Sequence, residues 1–265
     1  MTAKSYRAPI NGLDMYYEVR GDGVPLIMLH GAILVDLGPS VDALAEQRLV
    51  ITPHLQGRGH TPDIDRPFSY EAMADDVAAL MHHMEISKAD ILGQSMGAGV
   101  ALRIAFRHRA AVDRLILVST AMTLEGWHPK ARHELAGMET KAAIFAAQVA
   151  QSGVASKYPE TDWEMLFRKT GQFQQRPYDV TEQTRALDVQ TQLIFGDEDA
   201  IQPEHMIAFW KALGGGKGEA GLDGPQRAQS RLAVIASSNH SSVSQGAAYL
   251  ETVSQFLQKQ AVRDR

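Results

Sequence analysis

The chain has no cysteine. Disulfides, thiol nucleophiles and thiolate metal sites are thereby excluded, and the redox compartment is left open. Nor is there any run of about 18 apolar residues, the length a helical membrane span needs. The opening stretch "MTAKSYRAPINGLDMYYEV" lacks the apolar core of a secretory signal, so a cytoplasmic protein that engages no membrane is the expectation. No long Lys/Arg run occurs and the formal net charge is −5, so the footprint of a nucleic-acid binder is missing too. What is present is an ordinary globular composition, 45% hydrophobic and 22% charged over 265 residues. That length suffices for one large α/β domain with an insertion.

Strand-length apolar runs alternate with stretches of helical period, which predicts a mostly parallel sheet flanked by helices. Asn11-Gly12 is a turn dipeptide, so residues 5–19 read as an opening hairpin. Further strands are expected at 25–29, 48–53, 89–93, 115–119, 193–195 and 231–236. Helices are expected at 98–108, 203–213 and 245–259. Ser69 is placed to cap another, whose Met73, Val77, Leu80, Met81 and Met84 recur at three- and four-residue spacing. From 121 to 186 the rhythm breaks, with helical or irregular chain and no clear strand. That segment reads as a helical cap inserted into a core made of residues 1–120 and 187–265, since about 65 residues build a poor core alone. The glycine-rich 214–230 reads as a surface loop, because no strand precedes it and no Lys-Ser/Thr helix start follows.

Chemistry enters at Gly93-Gln94-Ser95-Met96-Gly97, between an apolar strand and a helix. Ser95 can be a plain helix cap. It can also be the nucleophile of a G-x-S-x-G elbow, whose strained turn needs small neighbours and ends at a helix N-terminus that favours negative charge. A serine nucleophile needs a base, and the base an orienting acid. Of ten histidines, His240 follows the last strand by a short polar turn. His82, His83, His108 and His133 fall on helical faces and read as solvent-exposed. Asp197 and Asp199 both follow the strand at 193–195, at the carboxyl end where ligands bind in α/β sheets. The spacing does not separate them. The order serine, aspartate, histidine is the one expected of α/β-hydrolases.

On these residues, together with "LIMLHGA", "HLQGRGHT", "LILVST", "LIFGDEDAIQP" and "LAVIASSNH", nearly the whole chain resembles an α/β-hydrolase-fold serine hydrolase, esterase- or lactonase-like, with a helical cap. The resemblance implies a catalytic triad of Ser95, Asp199 and His240, Asp199 being the fourth position of Gly-x-x-Asp. It implies an oxyanion hole from the backbone N–H groups of Ala32 and Met96. It also implies that His30 supports its loop rather than reacting, and that Gly31 lets the chain approach closely. Where related chains carry an acid before the G-x-G loop, His54 stands here, which puts support of that loop in question. His54 and His60 offer two metal ligands without a third at helical spacing.

A serine at position 95 disfavours haloalkane dehalogenases and epoxide hydrolases, which resemble this chain but use aspartate. Esterases, lactonases, C–C bond hydrolases and perhydrolases share the triad, so the fold does not choose among them. The expected substrate is a small to medium, fairly apolar ester or lactone, with no metal or organic cofactor. Trp127 and Trp163 are candidate pocket residues. They and Phe145, Phe167 and Phe173 serve equally well as the cap's own core. A non-catalytic ligand-binding protein of this fold is the reading from another class.

Overall fold

Side chains on successive strand residues point to opposite faces of a sheet, so a run that is apolar throughout calls for cover on both sides. The computed structural model describes residues 3–216 and 230–258 and follows that rule. Its strands are β1 (Lys4–Ile10), β2 (Leu13–Arg20), β3 (Val24–Leu29), β4 (Arg48–Pro53), β5 (Ala89–Gln94), β6 (Val112–Val118), β7 (Gln190–Glu198) and β8 (Ser230–Asn239). They form one sheet in the order β1-β2-β4-β3-β5-β6-β7-β8. β1 and β2 pair antiparallel, as do β2 and β4, and the remaining neighbours run parallel. The opening hairpin turns through Asn11 and Gly12 at φ 49° and 87°, the left-handed pair its two-residue loop requires.

Alternate residues feed two cores. Ile27, Leu29, Leu115, Leu117, Leu193 and Phe195 face one side. Leu26, Met28, Ile116, Val118 and Ile194 face the other. Helices α1 (Ser40–Ala45) and α10 (Ala247–Leu257) cover the second core. The first is covered by α2 (Tyr70–His83), α3 (Met96–Arg107) and α9 (Pro203–Ala212). In α2 the Ser69 hydroxyl accepts from Ala72 N–H at 3.1 Å, and Met73, Val77, Leu80 and Met81 are all buried.

Between β6 and β7 come α4 (Pro129–Thr140), α5 (Ala142–Gln151), α6 (Val154–Lys157), α7 (Trp163–Gln174) and α8 (Thr181–Arg185). No named strand occurs in this stretch. Its aromatic side chains pack among themselves, on α2 and on the histidines of the core. Phe145 lies 5.2 Å from Phe167 between ring centroids, and Phe173 lies 4.5 Å from Tyr70. Two expected helices change their limits. α3 starts at Met96, because the turn at Ser95 leads straight into it, and the closing helix is shorter than expected. Residues 217–229, most of the expected glycine-rich loop, lie outside the described residues.

Candidate active site

The end of β5 delivers Ser95 into a turn with φ 53° and ψ −116°, a conformation non-glycine residues rarely adopt. Its flanking glycines make that turn sterically feasible. A Cβ on Gly93 would sit 2.2 Å from the Gly97 carbonyl oxygen, and one on Gly97 would sit 2.4 Å from that of Leu29. Gly31 does not conform to expectation. A Cβ there would meet Ser95 Cβ at 3.9 Å, an ordinary contact, so no close approach forces that glycine.

Ser95 occupies the N-cap position of α3, yet its hydroxyl makes no capping hydrogen bond. The Oγ instead lies 2.9 Å from Nε2 of His240. His240 Nδ1 lies 3.1 Å from Oδ1 of Asp199. Three strand ends, β5, β7 and β8, thus converge on one hydrogen-bonded line. The Asp199 carboxylate is buried and well supplied with donors. Gly196 N–H donates to its Oδ2 at 3.0 Å, Ser119 Oγ–H also donates to Oδ2, and Ile201 N–H reaches Oδ1 at 3.4 Å. Burial alone would raise its pKa. The hydrogen bonds from His240, Ser119 and Gly196 outweigh that, and the carboxyl is held below its ordinary range.

Asp197, two residues earlier, faces elsewhere. Its two oxygens accept the backbone N–H groups of Ser237 and Ser238 at 2.9 and 3.0 Å. Ser237 has φ 55°, and the β7–β8 register shifts at this point. Asp197 therefore braces the irregular end of β8, the segment that leads to His240.

Ala32 is partly exposed beyond β3, and Met96 opens α3, where a first-turn N–H has no intrahelical acceptor. Loop support, in question from the sequence, comes from imidazoles. His30 Nε2 accepts Leu55 N–H at 3.0 Å, so its Nδ1 carries the proton and donates to Gly31 O at 2.8 Å. His54 Nδ1 accepts His60 N–H at 2.9 Å, as a carboxylate in that place would. Desolvation lowers both pKa values, to about 3 for His30 and about 2 for His54, which keeps the rings neutral and able to accept. His60 Nδ1 meets Glu160 Oε2 at 3.0 Å, and no metal-binding group of three exists among the described residues.

Of the two candidate pocket residues, Trp127 is brought against His240. The Trp127 ring lies 5.3 Å from that of His240, and its Nε1–H donates to the Tyr178 hydroxyl at 2.8 Å. Its backbone bridges to Ile201, beside Asp199. Trp163 is buried at the start of α7, and its indole N–H has no acceptor among the described residues. No ring contact or hydrogen bond among the described residues links it to Ser95 or His240. Another histidine departs from its expected exposure. His108 is half-buried, with Nε2 2.7 Å from Asp75 Oδ1.

A family model described as the alpha/beta hydrolase fold matches residues 24–158, just over half of the chain. The chain belongs to that family. Among curated proteins, this chain is 36% identical over 115 residues to the soluble epoxide hydrolase of Corynebacterium sp. (strain C12), covering 43% of this chain and 40% of that one. It is 35% identical over 112 residues to the 2-hydroxymuconate semialdehyde hydrolase of Pseudomonas sp. (strain CF600), covering 38% of each. The matched stretch thus spans about two fifths of the length of these relatives. Among solved structures, the enol-lactonase from Burkholderia xenovorans LB400 superposes with a TM-score of 0.71 at 22% identity, over 95% of this chain and 99% of that chain. That likeness shows the fold. No helix among the described residues is long and apolar enough to cross a membrane.

Proposed function

We propose that this hydrolase cleaves a small to medium carboxylic ester or lactone through an acyl-enzyme on Ser95. The observation that carries the reading is the Ser95 hydroxyl, 2.9 Å from His240 Nε2 in a strained turn and not engaged as a cap. Ser95 Oγ attacks the ester carbonyl while His240 takes its proton. Asp199 holds Nδ1–H of His240, which leaves Nε2 as the base and stabilises the imidazolium that forms. The N–H groups of Ala32 and Met96 receive the developing oxyanion. His240 returns the proton to the departing alkoxide. Water, deprotonated by the same nitrogen, then hydrolyses the acyl-enzyme and frees Ser95. Residues 121–186 act as a cap over a core of 1–120 and 187–265, with Trp127 lining the pocket beside His240.

Serine rather than aspartate at the elbow speaks against epoxide opening, whatever the likeness to an epoxide hydrolase. A second reading, C–C bond hydrolysis, draws support from the 2-hydroxymuconate semialdehyde hydrolase relative and uses the same three residues. A panel of p-nitrophenyl esters, lactones and ring-fission dienoates separates these readings. Ester or lactone turnover that Ser95→Ala lowers by about 10⁶-fold is expected. Turnover of dienoates alone favours the second reading. No turnover of any of them favours a ligand-binding protein.

A further inference from the structure

Arg58 is fully buried, and the steps above do not use it. It sits between Gly57 and Gly59, whose φ values of 72° and 59° fold the loop so that its side chain enters the protein. No carboxylate forms an ion pair with it among the described residues. Asp63, the acid that influences it most, is held by Lys169 Nζ and by Gln56 Nε2. The guanidinium instead donates to neutral acceptors. Nε reaches Ala32 O at 2.7 Å, Nη1 reaches Gln56 O at 2.7 Å, and Nη2 reaches Thr170 Oγ1 of α7 at 3.4 Å. Its Cζ lies 4.3 Å over the Phe68 ring. Burying an unpaired cation is costly.

The acceptor at Nε is the informative one. A peptide group is planar and trans, so each N–H points opposite to the carbonyl of its own plane. The plane carrying Ala32 N–H also carries Gly31 C=O, which His30 Nδ1–H holds. The next plane carries Ala32 C=O, which Arg58 holds. Both planes that meet at Ala32 Cα are therefore fixed, one by Arg58 of the loop after β4 and the other by His30 at the end of β3, which Leu55 N–H of that same loop orients.

We infer that Arg58 is a positioning residue for oxyanion stabilisation: its buried guanidinium fixes the peptide plane that follows Ala32, while His30 fixes the one before, and the two together hold the Ala32 N–H toward the developing negative charge. The inference rests on the serine-hydrolase reading above. The link to Thr170 ties the same loop to α7, so the helical segment and the oxyanion loop share one cation. Arg58 stays protonated at neutral pH although burial lowers its pKa to about 9, and its positive field acts where the negative charge appears.

The test compares wild type, Arg58→Met and Arg58→Lys on a p-nitrophenyl ester, with active sites counted by a fluorophosphonate. Affinity for an alkyl boronic acid, whose adduct places an anionic oxygen in the hole, is measured alongside. Arg58→Met is expected to lower kcat per titrated site about 100-fold, with KM within about threefold and boronate affinity falling in step with kcat. Arg58→Lys keeps the charge but loses the planar fork, and is expected to recover about tenfold of that loss. A residue serving structure alone lowers the melting temperature and the titratable fraction, and leaves kcat per site and boronate affinity at wild-type values. That result overturns the proposal. If Arg58→Met does not fold, Arg58→Lys decides between the same outcomes, with about a tenfold drop in kcat per site expected. Absent turnover and absent labelling in the wild type overturn the underlying reading as well, and the wild-type arm tells the two failures apart.

Discussion

On either side of Ser95 the chain uses histidine in opposite ways. On the β7–β8 side, His240 is 28% exposed and sits between a serine hydroxyl and the Asp199 carboxylate. On the β3–β4 side, His30 and His54 are buried and have backbone groups as their hydrogen-bond partners. A carboxylate on one ring nitrogen and a serine hydroxyl on the other place the His240 imidazole in line with a nucleophile. Burial among backbone groups, with Arg58 near one ring and other histidines near the other, fixes His30 and His54 as neutral. The residue type does not set the role. Its partners do.

That contrast breaks most severely at His240. His240→Gln is expected to lower kcat by about 10⁶-fold, whereas His54→Gln, which keeps an acceptor for His60 N–H, stays within about tenfold of wild type in steady-state assays. Next in size is the pair of acids. Asp199→Asn, which favours the wrong tautomer of His240, is expected to cost about 10⁴-fold in kcat. Asp197→Asn loses only a brace on β8 and is expected to leave kcat within about threefold, measured under the same conditions.

The buried histidines His30 and His54 contribute to acid stability. Their folded pKa values lie below the unfolded value of about 6.5, so their contribution is fully present above that pH. Below it, the unfolded chain takes up protons that the folded one refuses, until the pH reaches the folded values of about 3 and about 2. Stability therefore falls as pH drops from about 6.5, by up to about 1.4 kcal/mol per pH unit for each ring. Urea denaturation across this range is expected to give a shallower slope for His54→Gln, which removes one of the two rings. An unchanged slope contradicts the account of His54 as a neutral acceptor. The smallest effect is expected at Trp127. Trp127→Phe loses the hydrogen bond to Tyr178 and shifts kcat/KM among acyl chain lengths by about three- to tenfold, read from an ester series.

Much of this was legible in the residues, for reasons that differ by feature. The inner strands, β3 to β7, were legible because both faces of the sheet are covered there, so each reads as an apolar run. The turn at Ser95 was legible because only glycine fits at 93 and 97, which leaves a fixed spelling. The separate tasks of Asp197 and Asp199 were not. The bulge at Ser237 turns one toward backbone N–H groups while the other meets His240, and no spacing rule records a bulge. Ser119 and Arg58 passed unnoticed because their significance lies in what they touch across the fold. His54 raised doubt where an acid was expected, because a neutral tautomer that accepts as a carboxylate does is set by burial. Trp163 illustrates the reverse, since an aromatic residue in a helical segment spells pocket and core alike.

The central claim is that Ser95 is a nucleophile activated by His240. Intact-mass measurement after exposure to a fluorophosphonate, followed by peptide mapping, tests it most directly. One adduct per chain on the peptide holding Gly93-Gln94-Ser95-Met96-Gly97 is predicted for the wild type, with none in Ser95→Ala and labelling slowed by orders of magnitude in His240→Gln. An adduct on another residue, or equal labelling of Ser95→Ala, would contradict it.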